Sequence, residues 1–173
     1  MENTAVKTPP VTSVPFMSAA ELLDTWQGHR RLSRRVLEAF PEDQLTTFSI
    51  GGMRPYSQLA IEMIALAAGG IEGVATSNWD AAGRLFALNG RETPVTRQEL
   101  LDLWDQITEQ INTLWPQIPA TRFHEKEMAF GQYEGVIYSS ILYLIDNEIH
   151  HRGQGYVYLR ALGIEPPPFW DRQ

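Results

Sequence analysis

The chain has 173 residues, 43% of them hydrophobic and 20% charged, with a formal net charge of -7 and no cysteine. That length and balance suit one globular domain with a sizeable core, and the missing cysteine excludes a disulfide framework, a thiolate nucleophile and a Cys-ligated zinc site. The acidic balance without a Lys/Arg block speaks against a nucleic-acid partner. No apolar run reaches the roughly 18 residues of a membrane span, so no membrane partner is expected and a cytoplasmic home is consistent with what remains.

Residues 1 to 17, rich in Thr, Val and Pro, lack the apolar core of a secretory signal and read as a flexible arm before a single domain over 18 to 173. Ser18-Ala19-Ala20-Glu21 has capping-box spacing and predicts the start of a first helix. Its apolar stripe is Leu22, Trp26, Val36, Leu37 and Phe40, with His29 on the same face and Pro41 as the stop. A long connection through Gly51-Gly52 and Arg54-Pro55 follows.

The second predicted helix, about Tyr56 to Val74, is apolar on nearly every side and so belongs in the interior. Glu62 is the one charge between Arg54 and Glu72. A buried carboxylate without a partner is costly, so Glu62 must be protonated, paired with a cation or bound to a metal. Residues 75 to 95 read as a connection with at most a short helical turn. Thr96-Arg97-Gln98-Glu99 repeats the capping-box spacing and opens a third helix, with Leu100, Trp104, Ile107, Ile111 and Leu114 inward and Pro116 and Pro119 at its end. Thr121 to Gly135 has no steady period and reads as a loop over the bundle. A fourth helix spans Val136 to Leu162, with room for a kink at Gly153 or Gly155 and Gly163 as its C-terminal cap. Four long helices and no strand pattern predict an all-α four-helix bundle, with connections long enough to permit a crossover.

The fourth helix carries the densest chemistry. Residues four apart share a helix face and neighbours diverge by about 100°, so Asn147 and His151 stack while His150 faces away. With Ile141, Leu142, Leu144, Ile145 and Ile149 taken as the apolar arc, Glu148 and Arg152 fall inside it as an acid-before-base pair. The inward polar set is therefore His29, Glu62, Asn147 and His151. Trp26, Trp104 and Trp115 read as core.

His150-His151-Arg152-Gly153-Gln154, then Tyr158-Leu159-Arg160, then Gly163 and Pro166-Pro167, resemble the C-terminal signature of the DinB/YfiT-like superfamily. Met53-Arg54, the apolar second helix and the capped third helix follow in that family's order. The resemblance implies a four-helix bundle with a crossover, commonly a homodimer, in which many members hold a divalent metal through one His on the second helix and a His-x-x-x-His pair on the fourth. By position, those metal-ligand places fall on Glu62, Asn147 and His151, so only His151 keeps the imidazole. Neutral Asn is a weak ligand for zinc or nickel, and His29 is a further candidate nitrogen. Two arrangements stay open: a weakened metal site, or a metal-free one in which Glu62 pairs directly with His151, His29 or Arg152.

The same resemblance implies a stress- or damage-associated protein, a divalent-metal-dependent enzyme of the thiol-dependent transferase or hydrolase kind using a low-molecular-weight thiol. The alternative is a non-enzymatic binding or interaction protein whose metal site has been lost and whose cavity holds a small-molecule ligand or a polar core. The family shares its name with a translesion DNA polymerase, for which this chain is too short.

Overall fold

A computed structural model of the chain describes residues 16–92 and 95–173. The first fifteen residues of the expected arm, and Pro94 in the connection before the third predicted helix, lie outside them. Helix α1 (Ala19–Glu38) opens on the expected capping box: Glu21 N donates to Ser18 Oγ and the Glu21 carboxylate accepts from Ser18 N. Helix α2 (Glu42–Leu45) is a single turn that begins directly after Pro41, inside the stretch expected to be a plain connection. Helix α3 (Tyr56–Thr76) buries fifteen of its residues and is the second predicted helix. It is long and apolar enough to cross a membrane by length and composition, and most of it is buried against the rest of the molecule.

Helix α5 (Arg97–Leu114) is capped by Thr96, whose side chain accepts from Glu99 N. The reciprocal half of that box is replaced: the Glu99 carboxylate is held by Arg91 in two bonds of 2.6 and 2.8 Å. Helix α6 (Ile137–Ala161) runs without a break past Gly153 and Gly155. Gly163, at φ 76°, ends it as expected, with Ile164 N donating to Leu159 O and Gly163 N to Arg160 O. Within the arc assumed for α6, Ile141, Leu144 and Ile145 are buried, but Leu142 and Ile149 are exposed.

The packing fixes the topology. α1 lies against α5 and α6, and α3 lies against the same two helices, so α1 faces α3 across one diagonal and α5 faces α6 across the other. Both the α1-to-α3 and the α5-to-α6 connections therefore cross the bundle, as the fold expectation allowed.

The connections hold more structure than their sequences advertise. Residues expected to make at most one short turn form helix α4 (Ala81–Phe86), a 3-10 turn (Ala87–Gly90) continuing it. The expected loop over residues 121 to 135 holds a 3-10 turn (Ala120–His124) and an antiparallel hairpin of β1 (Lys126–Ala129) and β2 (Tyr133–Val136), with Ala129 opposite Tyr133. The hairpin strands are four residues each and mix charged with apolar side chains, so they carry no alternation to read.

Candidate functional site

Glu62 lies two turns into α3 and is largely buried, with its side chain 19% exposed. Asn147 and His151, stacked on α6, both reach it. Asn147 Nδ2 donates to Glu62 Oε1 at 3.1 Å, and His151 Nε2 lies 2.9 Å from the same oxygen. The other carboxylate oxygen meets Arg54 Nη2 at 2.6 Å. The structure thus brings the expected trio together and adds Arg54, a partner of Glu62 that was not among the expected ones. The sequence signalled only that a lone inward carboxylate demands a cation, and nothing local selects Arg54 for it.

Two further residues of the α6 motif hold Arg54 in place. Tyr158 donates its hydroxyl to the Arg54 carbonyl at 2.9 Å, and Gln154 places its amide nitrogen 3.7 Å from Met53 Sδ. Residues 151, 154 and 158 lie on one side of α6 at helical spacing, so Gln154 and Tyr158 clamp the loop that carries Met53 and Arg54 while His151, bonded to Gln154, reaches Glu62.

The electrostatics follow from these contacts. The hydrogen bond from His151, joined by those from Arg54 and Asn147 against the opposing effect of burial, holds the Glu62 carboxyl down at about 2. His151 Nδ1 faces Gln154 Oε1 at 2.7 Å, so both ring nitrogens meet oxygens. A ring with a hydrogen on each nitrogen satisfies both contacts. A neutral ring does so only if the Gln154 amide turns its nitrogen to Nδ1 and gives up Met53 Sδ. Asn147 Oδ1 is buried without a hydrogen-bond partner.

His29 belongs to a second, separate polar group. Its Nδ1 accepts from Arg152 Nη2 at 3.1 Å, and Arg152 Nη1 donates to His29 O and Ser33 Oγ. Burial, with Arg152 and Arg172 nearby, pushes the His29 imidazole down to about 4, so it is neutral near pH 7. No hydrogen bond among the described residues joins His29 to Glu62, Asn147 or His151. Glu148 does not take Arg152 as its closest cation, contrary to the pairing expected from their spacing. Its carboxylate lies 3.5 Å from Arg30 Nη1 and accepts from Ser33 Oγ. Arg30 is fully buried over the Trp104 ring at 4.3 Å and donates to Thr108 Oγ1 and Trp104 O. Its position four residues after Trp26, inside the α1 stripe, was the sign that it pointed inward.

The sequence model described as DinB family matches residues 13–172. The chain belongs to the DinB family. Three solved structures share the fold at low identity. A DinB-like protein from Bacillus subtilis is 18% identical, with a TM-score of 0.68 over 87% of this chain and 96% of that one. One from Bacillus cereus is 14% identical, at 0.69 over 87% and 97%. A putative member of the DinB family from Exiguobacterium sibiricum is 18% identical, at 0.65 over 90% and 99%. No curated protein matches the chain.

The donors that this DinB-family chain offers a divalent ion are one imidazole, one carboxylate and one amide. Zinc and nickel sites favour several imidazoles, carboxylates or thiolates, and among the described residues no group of three or more His, Asp or Glu is placed to hold a metal. Asn147 turns its nitrogen, not its oxygen, toward Glu62. The Arg54 guanidinium already neutralises the carboxylate, and a divalent ion on that carboxylate would face its charge. These residues do not fit a three-ligand zinc or nickel centre.

Proposed function

We propose that this DinB-family protein is a non-enzymatic binding protein in which the family's metal position is held by a direct network of Arg54, Glu62, His151 and Asn147. The observation that carries the reading is the 2.6 Å contact of Arg54 with Glu62, which neutralises the carboxylate from one oxygen while His151 and Asn147 occupy the other. With the carboxylate bound by three donors of its own chain, the group acts as a polar core that ties the loop before α3 to α6. On this reading the thiol-dependent transferase and hydrolase chemistry has no part here.

A metal-dependent enzyme is the second reading. It is supported by Gln154 Oε1 at His151 Nδ1, a contact that fixes a ligating imidazole when Nε2 faces a metal, and by the unpartnered Asn147 Oδ1. Metal analysis of the purified full chain separates the two. The binding-protein reading expects less than stoichiometric zinc or nickel and a thermal midpoint unmoved by either ion. It also expects metal to be gained by the Glu62→His/Asn147→His double variant, which restores three imidazoles. Stoichiometric zinc or nickel in the natural chain that is lost in His151→Ala overturns it.

The assembly we propose is a homodimer through the outer face of α6, where Tyr138, Leu142, Ile149 and Val157 form an exposed apolar stripe.

A further inference from the structure

A cleft of about 610 Å3 opens at the far end of α3 between the Ser77–Gly83 turn, α4 and the tip of the hairpin. It lies about 22 Å along the helix from Glu62, at 1.5 Å per residue. Trp79, Phe86, Phe130 and Met128 supply its apolar walls, and Asp80 and Glu127 are the charged residues lining it, with no Lys, Arg or His.

The walls are held in place from below. Trp79 and Phe130 meet edge to face with ring centres 5.1 Å apart. Gly73 and Gly69, one turn apart on α3, leave the space they fill: a Cβ on Gly73 would stand 2.2 Å from the indole, and one on Gly69 would stand 3.1 Å from the Phe130 ring. Trp79 Nε1 donates to Glu127 Oε1 at 3.0 Å, which orients the indole. Ser77 and Phe130 are, among the described residues, the two non-glycine positions with positive φ, and both line this cleft. Ser77 is the left-handed C-cap of α3, and Phe130 opens the hairpin turn with Gly131, so the two chain reversals bring these walls together.

The charge is unequally balanced. Arg122 pairs with Glu127 from outside the lining, whereas the Asp80 carboxylate has no hydrogen bond or ion pair among the described residues. An exposed carboxylate beside aromatic rings, with no lining cation, matches one ligand chemistry. A positively charged nitrogen bearing carbon groups is attracted by the carboxylate, while its carbon covers Met128, Phe86 and the aromatic wall beside them. An anion would meet the unpaired Asp80 carboxylate, and a bare metal ion would make no use of the aromatic walls.

We infer that this cleft binds a small organic ammonium ion. The site is independent of the Glu62 network, so metal content does not bear on it and either fate of the proposed function leaves it standing.

The test titrates choline, and separately its uncharged tert-butyl analogue, into the full chain, reading calorimetry and the Trp79 indole N–H resonance assigned through Trp79→Phe. Saturable choline binding that shifts this resonance is expected, at least about threefold tighter than the uncharged analogue. Asp80→Asn should weaken choline at least about twofold and Phe86→Ala about three- to tenfold, with circular dichroism unchanged in both. Equal affinity for choline and the uncharged analogue overturns the inference. So does choline binding that leaves the Trp79 signal unmoved or survives both substitutions intact.

Discussion

Glu62 and His29 give the molecule two separate sensitivities to acid. Glu62 titrates near 4.5 in an unfolded chain and at about 2 in the folded one. Its folded carboxylate therefore contributes stability that is complete above pH 4.5 and is lost as pH falls from there toward 2, on the order of 2 kcal/mol. His29 moves from 6.5 to about 4 on folding, because burial and its arginine neighbours oppose its charge. The unfolded chain takes up that proton first, so His29 costs stability progressively as pH falls from 6.5 to 4. Urea unfolding across pH 7 to 3 checks both. Glu62→Gln should lower stability at pH 7 by about 2 kcal/mol and lose less than the natural chain below pH 4.5. His29→Gln should flatten the curve between pH 6.5 and 4. A Glu62→Gln curve parallel to that of the natural chain at every pH would mean that the Arg54 and His151 contacts do not hold the carboxylate.

At the scale of elements, α1 and α6 are joined by a buried pair that apolar periodicity cannot represent. Glu148 sits in the apolar arc of α6 and Arg30 in that of α1, each with almost no exposure. Burial drives the carboxyl up and the guanidinium down, and each charge offsets part of the other's penalty. Glu148→Gln leaves Arg30 without its counter-charge and should cost about 3–5 kcal/mol in denaturant unfolding, whereas Asp24→Asn on the same bundle's surface should change little. A loss under 1 kcal/mol would show that Arg30 is satisfied by Thr108, Trp104 O and the indole face alone. Helix starts and stops were legible because Ser18, Thr96 and Gly163 act on amides and carbonyls within a few residues. The hairpin was not. Phe130 and Gly131 take positive φ as the two central residues of its turn, and a phenylalanine in the first of those places does not announce such a turn.

For the molecule as a whole, the proposed dimer has a direct check. In a two-fold pair the α6 stripe would meet its own copy, so one substitution acts on both sides of the interface. The natural chain is expected to sediment as a dimer, and Leu142→Glu as a monomer with an unchanged helical signal. A natural chain that sediments as a monomer over the micromolar range would overturn that assembly.

The sequence by itself determined the helical class, the four long helices, most of their ends, and the fact that Glu62 needs a partner, since each depends on periodicity, capping or the cost of an isolated charge. Tertiary structure alone decided which partner Glu62 has. Arg54 reaches it because Tyr158 and Gln154, on a helix roughly a hundred residues further along the chain, hold the intervening loop. It also decided that Glu148 faces Arg30 rather than Arg152, and that Trp79, Asp80, Phe86 and Phe130 line one cleft. Such pairings are set by how elements pack across the bundle, and that packing leaves no period or local motif in the chain.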